Sequence, residues 1–234
     1  MYTISMILNG LEKLSLVDFD GVVACTLFTS GCNFRCGFCH NSPLVLGDNL
    51  PQYTEQEILE FLVKRNGIIE GVCISGGEPT LNHDLAVFIK KVKELGLKVK
   101  LDTNGTNPKM LKSLIEQNLL DYVAMDIKAD KQNYSKIIEI NNFDLTPVEE
   151  SVNILLNGSI DYEFRTTLIK QIHTENVINN IAKWIGGAKK YCLQKYVYRD
   201  TCFSCEFTEV DLETAKKFKD ILQNHIKNTQ LRGY

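Results

Sequence analysis

Short apolar runs rich in β-branched residues alternate along this chain with amphipathic runs that repeat at the period of an α-helix. The strand-like runs cover residues 24–29, 71–75, 98–102, 122–126, 161–168 and 195–198. The helix-like runs between and after them cover residues 54–62, 84–95, 108–117, 147–156, 174–185 and 208–227. Repeated alternation of this kind predicts an α/β fold in which parallel strands are joined by right-handed crossovers.

Six strand–helix units are fewer than the eight of a complete (β/α)8 barrel. We predict a partial (β/α)6 barrel of parallel strands, although periodicity by itself does not distinguish a barrel from an open sheet. A single domain over residues 1–234 is expected, with an N-terminal extension at 1–20 and a C-terminal segment at 199–234 that contains two cysteines and the last helix. In either sheet geometry, ligands bind at the carboxyl ends of the strands.

Composition excludes several classes of protein. The 234 residues include 26 Lys and Arg against 29 Asp and Glu, a formal net charge of -3, so no basic surplus is available to neutralise nucleic-acid phosphates. No apolar run approaches the roughly 20 residues of a membrane span. The first six residues lack the basic start and apolar stretch of a signal peptide. We therefore expect no nucleic-acid or membrane partner and a cytoplasmic location.

Eight cysteines in a reducing compartment favour metal binding or chemistry over disulfides. Cys32, Cys36 and Cys39 lie within eight consecutive residues that follow the first predicted strand, at the carboxyl end where a site is expected. Three thiolates on one loop hold three corners of an iron–sulfur cube and leave the fourth iron open. An open metal position is typical of a catalytic site. The alternatives are a zinc site with His40 as fourth ligand and three inert core cysteines.

The spacing Cys32-x-x-x-Cys36-x-Phe38-Cys39 resembles the cluster loop of the radical S-adenosylmethionine (SAM) superfamily. The resemblance implies that the three cysteines ligate a 4Fe–4S cluster, that Phe38 takes the aromatic position, and that SAM chelates the open iron. It also implies that an electron from the reduced cluster splits the sulfonium and yields a 5′-deoxyadenosyl radical. This chemistry belongs to the cofactor, so no catalytic side chain is predicted. A low-potential electron donor such as flavodoxin or ferredoxin is implied.

A second motif, Ser75-Gly76-Gly77-Glu78-Pro79, follows the second predicted strand. Glycines allow a backbone to approach a ligand closely, and the carboxylate of Glu78 is able to bind an ammonium group. The segment resembles the GGEP motif of the same superfamily. The resemblance implies that Gly76, Gly77, Glu78 and Pro79 receive the methionine amino group of SAM. A plain strand-to-helix turn is the alternative.

Polar residues also end the third and fourth predicted strands. Asp102-Thr103-Asn104-Gly105 and Asp126-Ile127-Lys128 resemble segments of glycyl-radical-enzyme activases, a subgroup of the superfamily. That resemblance implies that the side chains of Asp102, Asn104, Asp126 and Lys128 surround the SAM ribose and carboxylate. It also implies that the two aspartates share a monovalent cation. Helix capping by Asp102 and a surface position for Lys128 are the alternatives.

Arg165 lies on the fifth predicted strand and is able to bind a carboxylate bidentately; a structural ion pair is equally expected. The segment 162–167 and the order of the motifs resemble the activating proteins of anaerobic ribonucleoside-triphosphate reductase. This narrower resemblance implies abstraction of a glycine α-hydrogen on a partner glycyl-radical enzyme. The alternatives are a stand-alone radical SAM enzyme that modifies a peptide or small molecule and a non-catalytic iron–sulfur or zinc-binding module.

Several residues lie outside this resemblance. The spacing Cys202-Phe203-Ser204-Cys205 is found both in half-sites for metals and in redox pairs, and Cys192 is a candidate third thiol. A structural role, an auxiliary cluster and a redox pair all stay open. Cys25 and Cys73 are expected to be buried packing residues. Other charged residues are expected on a solvated face or in loops and caps: Lys90, Lys91, Lys93, Lys98, Lys100, His83 and His173.

Overall fold

The structure is a computed structural model, and it describes Met6, residues 8–47 and residues 52–234. Contacts divide the chain into two compact units, Met1–Asn33 with Pro43–Val123 and Phe34–Ser42 with Ala124–Tyr234. The single domain over residues 1–234 stays a prediction. Residues 1–5 and 7 of the expected N-terminal extension lie outside the described residues.

Eight strands in the described residues form one sheet, in which the strands follow their order in the chain. They are β1 (Gly10–Ser15), β2 (Ala24–Thr29), β3 (Gly71–Gly76), β4 (Lys98–Thr103), β5 (Tyr122–Asp126), β6 (Asp161–Leu168), β7 (Tyr191–Lys195) and β8 (Thr229–Arg232). β1 is antiparallel to β2. The pairs β2–β3, β3–β4, β6–β7 and β7–β8 are parallel. This mostly parallel sheet confirms the predicted α/β class.

Helices follow most of the strands. They are α1 (Ser42–Leu46), α2 (Glu55–Lys64), α3 (Leu85–Glu94), α4 (Pro108–Glu116), α5 (Tyr134–Ile137), α6 (Thr146–Asn157), α7 (Glu175–Trp184) and α8 (Leu212–Gln223), with a 3-10 turn at Pro79–Leu81. Thr54 and Glu57 form the capping box that begins α2, which satisfies two backbone donors that the helix leaves open. Across the described residues, no helix is both long and apolar enough to cross a membrane.

In the first unit, the two faces of the sheet differ in chemistry. One face is apolar and fully buried, because β2, β3 and β4 contribute Leu27, Val72, Ile74, Val99 and Leu101 to it. Side chains alternate between the faces of a strand, and residues in register share a face. Thr26, Cys73 and Lys100 are paired across β2, β3 and β4, so the opposite face carries polar groups. The cysteine loop and the turn at Gly76 both leave the carboxyl ends of these strands.

In the second unit, β6, β7 and β8 show the same division. Phe164 lies opposite Tyr191 in register, and both are fully buried with the apolar faces of α7 and α8. The other face is charged. Glu163 is almost completely buried there, where it pairs with Lys190 at 3.0 Å and Arg232 at 3.2 Å. A buried carboxylate needs a counter-charge or hydrogen-bond donors, and Glu163 has two counter-charges.

Two predicted elements and the predicted position of one lysine differ from the structure. The sixth predicted strand, residues 195–198, is wrong in position, because β7 uses the buried run Tyr191–Lys195 instead. The last helix is shorter than residues 208–227 and begins only where Asp211 caps Leu212–Gln223. Lys100 does not lie on a solvated face, since it is almost completely buried. β1, β8, α1 and α5 were absent from the sequence-based assignment.

Candidate functional site

The cysteine loop begins in the first unit at a turn of the backbone that is centred on Gly31. Gly31 adopts a left-handed φ of 79° and donates its N–H to the carbonyl of Leu44 at 2.8 Å. Cys32 follows this turn directly. A residue with a side chain is disfavoured at such a φ, so the glycine allows the chain to leave β2 and present Cys32 at its carboxyl end.

Gly76 and Gly77 are required by the protein's own backbone. A Cβ on Gly76 would lie 2.3 Å from the carbonyl oxygen of Thr29, and one on Gly77 would lie 2.0 Å from that of Gly31. The N–H groups of Gly77 and Glu78 donate to these same two carbonyls at 2.9 and 2.8 Å. The turn after β3 is therefore packed against the start of the cysteine loop, a contact for which any side chain would be too large.

Glu78 is fully buried, and its carboxylate accepts hydrogen bonds from three neighbouring residues. Oε1 accepts from the N–H and hydroxyl of Thr80 and from the hydroxyl of Thr103, while Oε2 accepts from the N–H of Asn104 at 2.6 Å. Burial raises the pKa of this carboxyl, and the hydrogen bonds oppose the increase. The direct binding of an ammonium group by Glu78 stays a prediction, while its place here ties the β3 turn to the end of β4.

Asn104 links the end of β4 to the cysteine loop. Its side-chain N–H2 donates to Oδ1 of Asn33 at 2.8 Å and lies 3.9 Å from the sulfur of Cys32. Its Oδ1 accepts from both the N–H and the hydroxyl of Thr106. Asn104 therefore fixes the position of the loop beside Cys32 through its contact with Asn33.

Asp102 pairs with a buried lysine of its own strand. The Lys100 ammonium lies 2.9 Å from Oδ1 of Asp102, and the Ser75 hydroxyl donates to Oδ2 at 3.1 Å. The predicted alternative of helix capping by Asp102 does not describe this arrangement, since α4 is capped by Asn107.

In the second unit, the loop closes in a turn around Phe38. The N–H of Cys39 donates to the carbonyl of Cys36 at 2.9 Å. The Phe38 ring packs edge-on against Tyr196 and Phe207, and the Lys128 ammonium lies 5.9 Å from its centre. Burial raises the pKa of the Cys39 thiol, whereas the backbone at Asn41 and the charge of Lys128 oppose the increase.

Asp126, Lys128 and Arg165 form a charged group at the ends of β5 and β6. The Asp126 carboxylate accepts from the ammonium of Lys128 at 2.8 Å and from Nε of Arg165 at 3.0 Å. Burial opposes the charge on Lys128, but Asp126 and the Cys36 thiol outweigh it and raise the pKa of the ammonium. Arg165 therefore makes a structural ion pair, which is one of the two roles expected for it. Lys128 is mostly buried, so its alternative surface position is wrong.

His173 lies in a loop, as predicted, and its ring contacts the backbone of Lys128, a member of this charged group. Its Nδ1 accepts from the N–H of Ile169 at 3.0 Å, and its Nε2 lies 3.0 Å from the carbonyl oxygen of Lys128. These partners require the neutral tautomer with the proton on Nε2. Burial lowers the pKa of His173 to about 4. Thr166 adds a second support, since its hydroxyl donates to the carbonyl of Ile127.

The segment that contains Cys202 packs against the cysteine loop within the second unit, whereas Cys205 is exposed. The Cys202 thiol donates to the carbonyl of Phe38 at 3.6 Å and accepts from the hydroxyl of Tyr196 at 3.6 Å. The N–H of Ser204 donates to the carbonyl of Gly37 at 2.8 Å. A Cβ on Gly37 would lie 2.6 Å from the Phe207 ring. The segment that carries Cys202 thus braces the loop that carries Cys36 and Cys39.

Cys192 has different surroundings. It is fully buried in β7, where burial raises the pKa of its thiol and its charged neighbours include Arg232, Glu163 and Lys190. Within the described ranges, no three His, Cys, Asp or Glu side chains are positioned together to hold a metal ion. The fit of the chain to an iron–sulfur cluster therefore rests on the chemistry of its donors, three thiols on one short loop with an amide and an ammonium beside them. Cys25 and Cys73 are fully buried, as predicted.

Comparison with known proteins agrees with these motifs. A sequence model of the radical SAM superfamily matches residues 26–184. Two proteins of Methanocaldococcus jannaschii, both named as candidate glycyl-radical enzyme activating enzymes, are similar over almost their whole length. One is 29% identical over 97% of this chain and 95% of its own, and the other is 28% identical over 96% of this chain and 86% of its own.

A solved structure shows the same fold. A domain of the pyruvate-formate lyase-activating enzyme from Bacteroides vulgatus matches 70% of this chain and 99% of its own, with a TM-score of 0.57 and 17% sequence identity. At that identity the likeness concerns the fold alone. It agrees with the α/β class and the parallel strands predicted from the sequence.

Replacement of Gly77 by alanine tests the close approach between the backbone of Gly77 and that of Gly31. The added Cβ has backbone on its far side, which is unable to move as a flexible side chain would, so we expect a loss of about 3 kcal/mol of unfolding free energy. For a chain of this size that corresponds to a fall in Tm of roughly 6–12 °C, measured by circular dichroism. Gly186→Ala is the matched control, because its Cβ would meet no atom closer than 3.2 Å. An equal loss in both variants would contradict this interpretation.

His173 predicts a pH-dependent loss of stability. Its pKa is about 4 in the folded state and about 6.5 in the unfolded chain, so the unfolded state binds the additional proton between these values. Stability from His173 is complete above pH 6.5 and is lost as the pH falls to 4, by roughly 3 kcal/mol in total. Urea unfolding across this range should show a shallower pH dependence for His173→Gln than for wild type. His225→Gln, at an exposed residue, should retain the wild-type slope; equal slopes for all three proteins would show that His173 does not titrate in this way.

Proposed function

Since the chain belongs to the radical SAM superfamily, we propose that it generates a 5′-deoxyadenosyl radical and uses it to remove an α-hydrogen from a glycine of a partner enzyme. The family implies a 4Fe–4S cluster and SAM as cofactors. When bound, the cluster supplies the electron that cleaves the sulfonium of SAM. The observation that carries the proposal is the similarity, over most of both chains, to two proteins named as candidate activating enzymes, together with the cysteine loop.

Cys32, Cys36 and Cys39 are the proposed cluster ligands. Thiolates are the ligands that iron–sulfur clusters require, and a polar or charged group lies beside two of the three sulfurs. Asn104 presents an amide to Cys32, and Lys128 places a positive charge near Cys36. Phe38 fills the turn between the second and third cysteines and packs against two other rings, which excludes water from that side of the loop.

The proposed contacts to SAM divide by charge. In the second unit, Lys128 and Arg165 carry two positive charges, whereas Asp126 carries one negative charge. The remaining positive charge suits the methionine carboxylate of SAM. In the first unit, Gly76, Gly77 and Pro79 form the turn proposed to receive the amino group, and Asp102 and Asn104 are proposed to face the ribose. Glu78 acts in this proposal by holding that turn, because its carboxylate is buried and already accepts several hydrogen bonds.

The partner is a glycyl-radical enzyme in this proposal, and anaerobic ribonucleoside-triphosphate reductase is the specific candidate. Support for that finer assignment comes from the order of the motifs and from the segment Tyr162–Thr167. We further propose that a low-potential donor of the flavodoxin or ferredoxin class reduces the cluster and that the reaction takes place in the cytoplasm. A monovalent cation is not included, because Asp102 and Asp126 each have a cationic side chain as a partner.

Anaerobic reconstitution with iron and sulfide tests the cluster. We expect four irons per chain and, with dithionite and SAM, formation of 5′-deoxyadenosine detected by chromatography. A variant with Cys32, Cys36 and Cys39 all replaced by alanine should lose both the iron and the product. Cys25→Ala removes a buried thiol of β2 and should retain both. A triple variant that still forms 5′-deoxyadenosine would refute the ligand assignment, and clearly more than four irons in wild type would reveal a second cluster.

The partner assignment is tested by mixing the reconstituted protein, SAM and reductant with a candidate anaerobic ribonucleotide reductase. We expect the electron paramagnetic resonance doublet of a glycyl radical to appear in the reductase. A reductase whose radical-site glycine is replaced by alanine is the control and should give no signal. If 5′-deoxyadenosine forms but no glycyl-radical enzyme acquires a signal, the chain is instead a stand-alone enzyme that modifies a peptide or small molecule.

A further inference from the structure

Lys100 is a charged residue in the middle of a buried strand. It lies on β4, two residues before Asp102, and the alternation of side chains places both on the same face. The Lys100 side chain is only 5% exposed, and that of Asp102 is 14% exposed. Lysine is almost never buried to this extent unless its charge is paired, so the pair must meet a specific need of this face.

The ammonium of Lys100 lies close to three groups that can compensate its charge. It pairs with Oδ1 of Asp102 at 2.9 Å, donates to the carbonyl oxygen of Asp18, and lies 3.9 Å from the sulfur of Cys73. An ammonium has three N–H donors and no acceptor. The single negative charge of Asp102 is therefore paired with a buried positive charge of the same strand.

A monovalent metal cation does not fit beside Asp102 in this arrangement. The ammonium already takes the position next to Oδ1, and the Ser75 hydroxyl donates to Oδ2 at 3.1 Å. A second positive charge would be left without a counter-charge in a buried place, which is costly. Asp126, considered separately, already has two cationic partners in Lys128 and Arg165. The cation that the family resemblance implies for these two aspartates therefore disagrees with the residues present.

We infer that the ammonium of Lys100 replaces a monovalent metal cation at Asp102. SAM binding by this protein is then independent of whether K⁺, Na⁺ or neither is present. This inference rests on the proposed function for the role of Asp102 toward SAM. The replacement of the ion by a side chain concerns the protein alone and is open to measurement without any cofactor.

The test compares wild type, Lys100→Met and Lys98→Met in equal concentrations of potassium, sodium or tetramethylammonium chloride. Methionine keeps much of the length of the lysine chain and removes its charge, while tetramethylammonium is too large to take the place of the ammonium. Lys98 is exposed at the start of the same strand and gives the general effect of each salt. The two measurements are the Tm of the protein without cluster or SAM and the Kd for SAM of the anaerobically reconstituted protein.

We expect the Tm of wild type and the Tm of Lys98→Met to shift by the same amount when one salt replaces another. For each of these two proteins, the Kd for SAM should agree within about twofold across the three salts. For Lys100→Met in tetramethylammonium, we expect a lower Tm and SAM binding weakened by roughly tenfold or more, because Asp102 is left buried without a counter-charge. Potassium or sodium should restore a large part of both. A wild-type affinity or Tm that depends specifically on potassium would overturn the inference, as would a folded Lys100→Met protein with no response to either ion.

A second variant covers the case in which Lys100→Met does not fold. The double variant Lys100→Met, Asp102→Asn removes both charges, so its Tm should respond to salts only as the Tm of Lys98→Met does. A potassium-specific stabilisation of the double variant would contradict the inference. Failure of the proposed function has a different signature, in which wild type binds no SAM in any salt while the Tm comparison still decides the role of Lys100.

Discussion

A buried carboxylate organises the first unit around the start of the cysteine loop. An ionised group away from water is stable only when donors surround it, and Glu78 obtains its donors from Thr80, Thr103 and Asn104. The turn after β3 must therefore close on the end of β4. The backbone N–H of Glu78 also donates to Gly31, so the ends of β2, β3 and β4 are held together by one residue and its immediate neighbours.

The strands that the sequence predicts best are those whose stability comes from continuous burial. The predicted bounds of β2, β5 and β6 match the structure residue for residue, because each is a run of apolar and β-branched residues between clear turn signals. β8 has the polar sequence Thr229-Gln230-Leu231-Arg232, and only its pairing with β7 makes it a strand. Such a partner lies far away in the chain, and a local pattern contains no information about it.

The site shows the same division between local and distant causes. Cys32, Cys36 and Cys39 were identified as candidate ligands from the sequence because the pattern that identifies them is their spacing along the chain. His173 lies in a loop, as predicted, but its burial was not foreseen because it depends on the distant partners Lys128 and Ile169. The burial of Lys100 was also not foreseen, because it depends on Asp18 in another part of the chain. The requirement for Gly77 was assigned to a ligand, whereas the closest atom belongs to Gly31. In this chain, the residues that surround the proposed ligand sites are held mainly by the protein itself.

The segment 201–204 in the C-terminal part of the chain belongs to this support as well. Cys202 contacts the carbonyl of Phe38, the Thr201 hydroxyl donates to the carbonyl of His40, and Ser204 binds that of Gly37. Three residues of this segment therefore donate hydrogen bonds to backbone carbonyls of the loop between Cys36 and Ser42. These carbonyls do not take part in the hydrogen bonding of a helix or strand. The loop that carries the three proposed ligands has little secondary structure of its own. A segment more than 160 residues away in the chain supplies these hydrogen bonds instead.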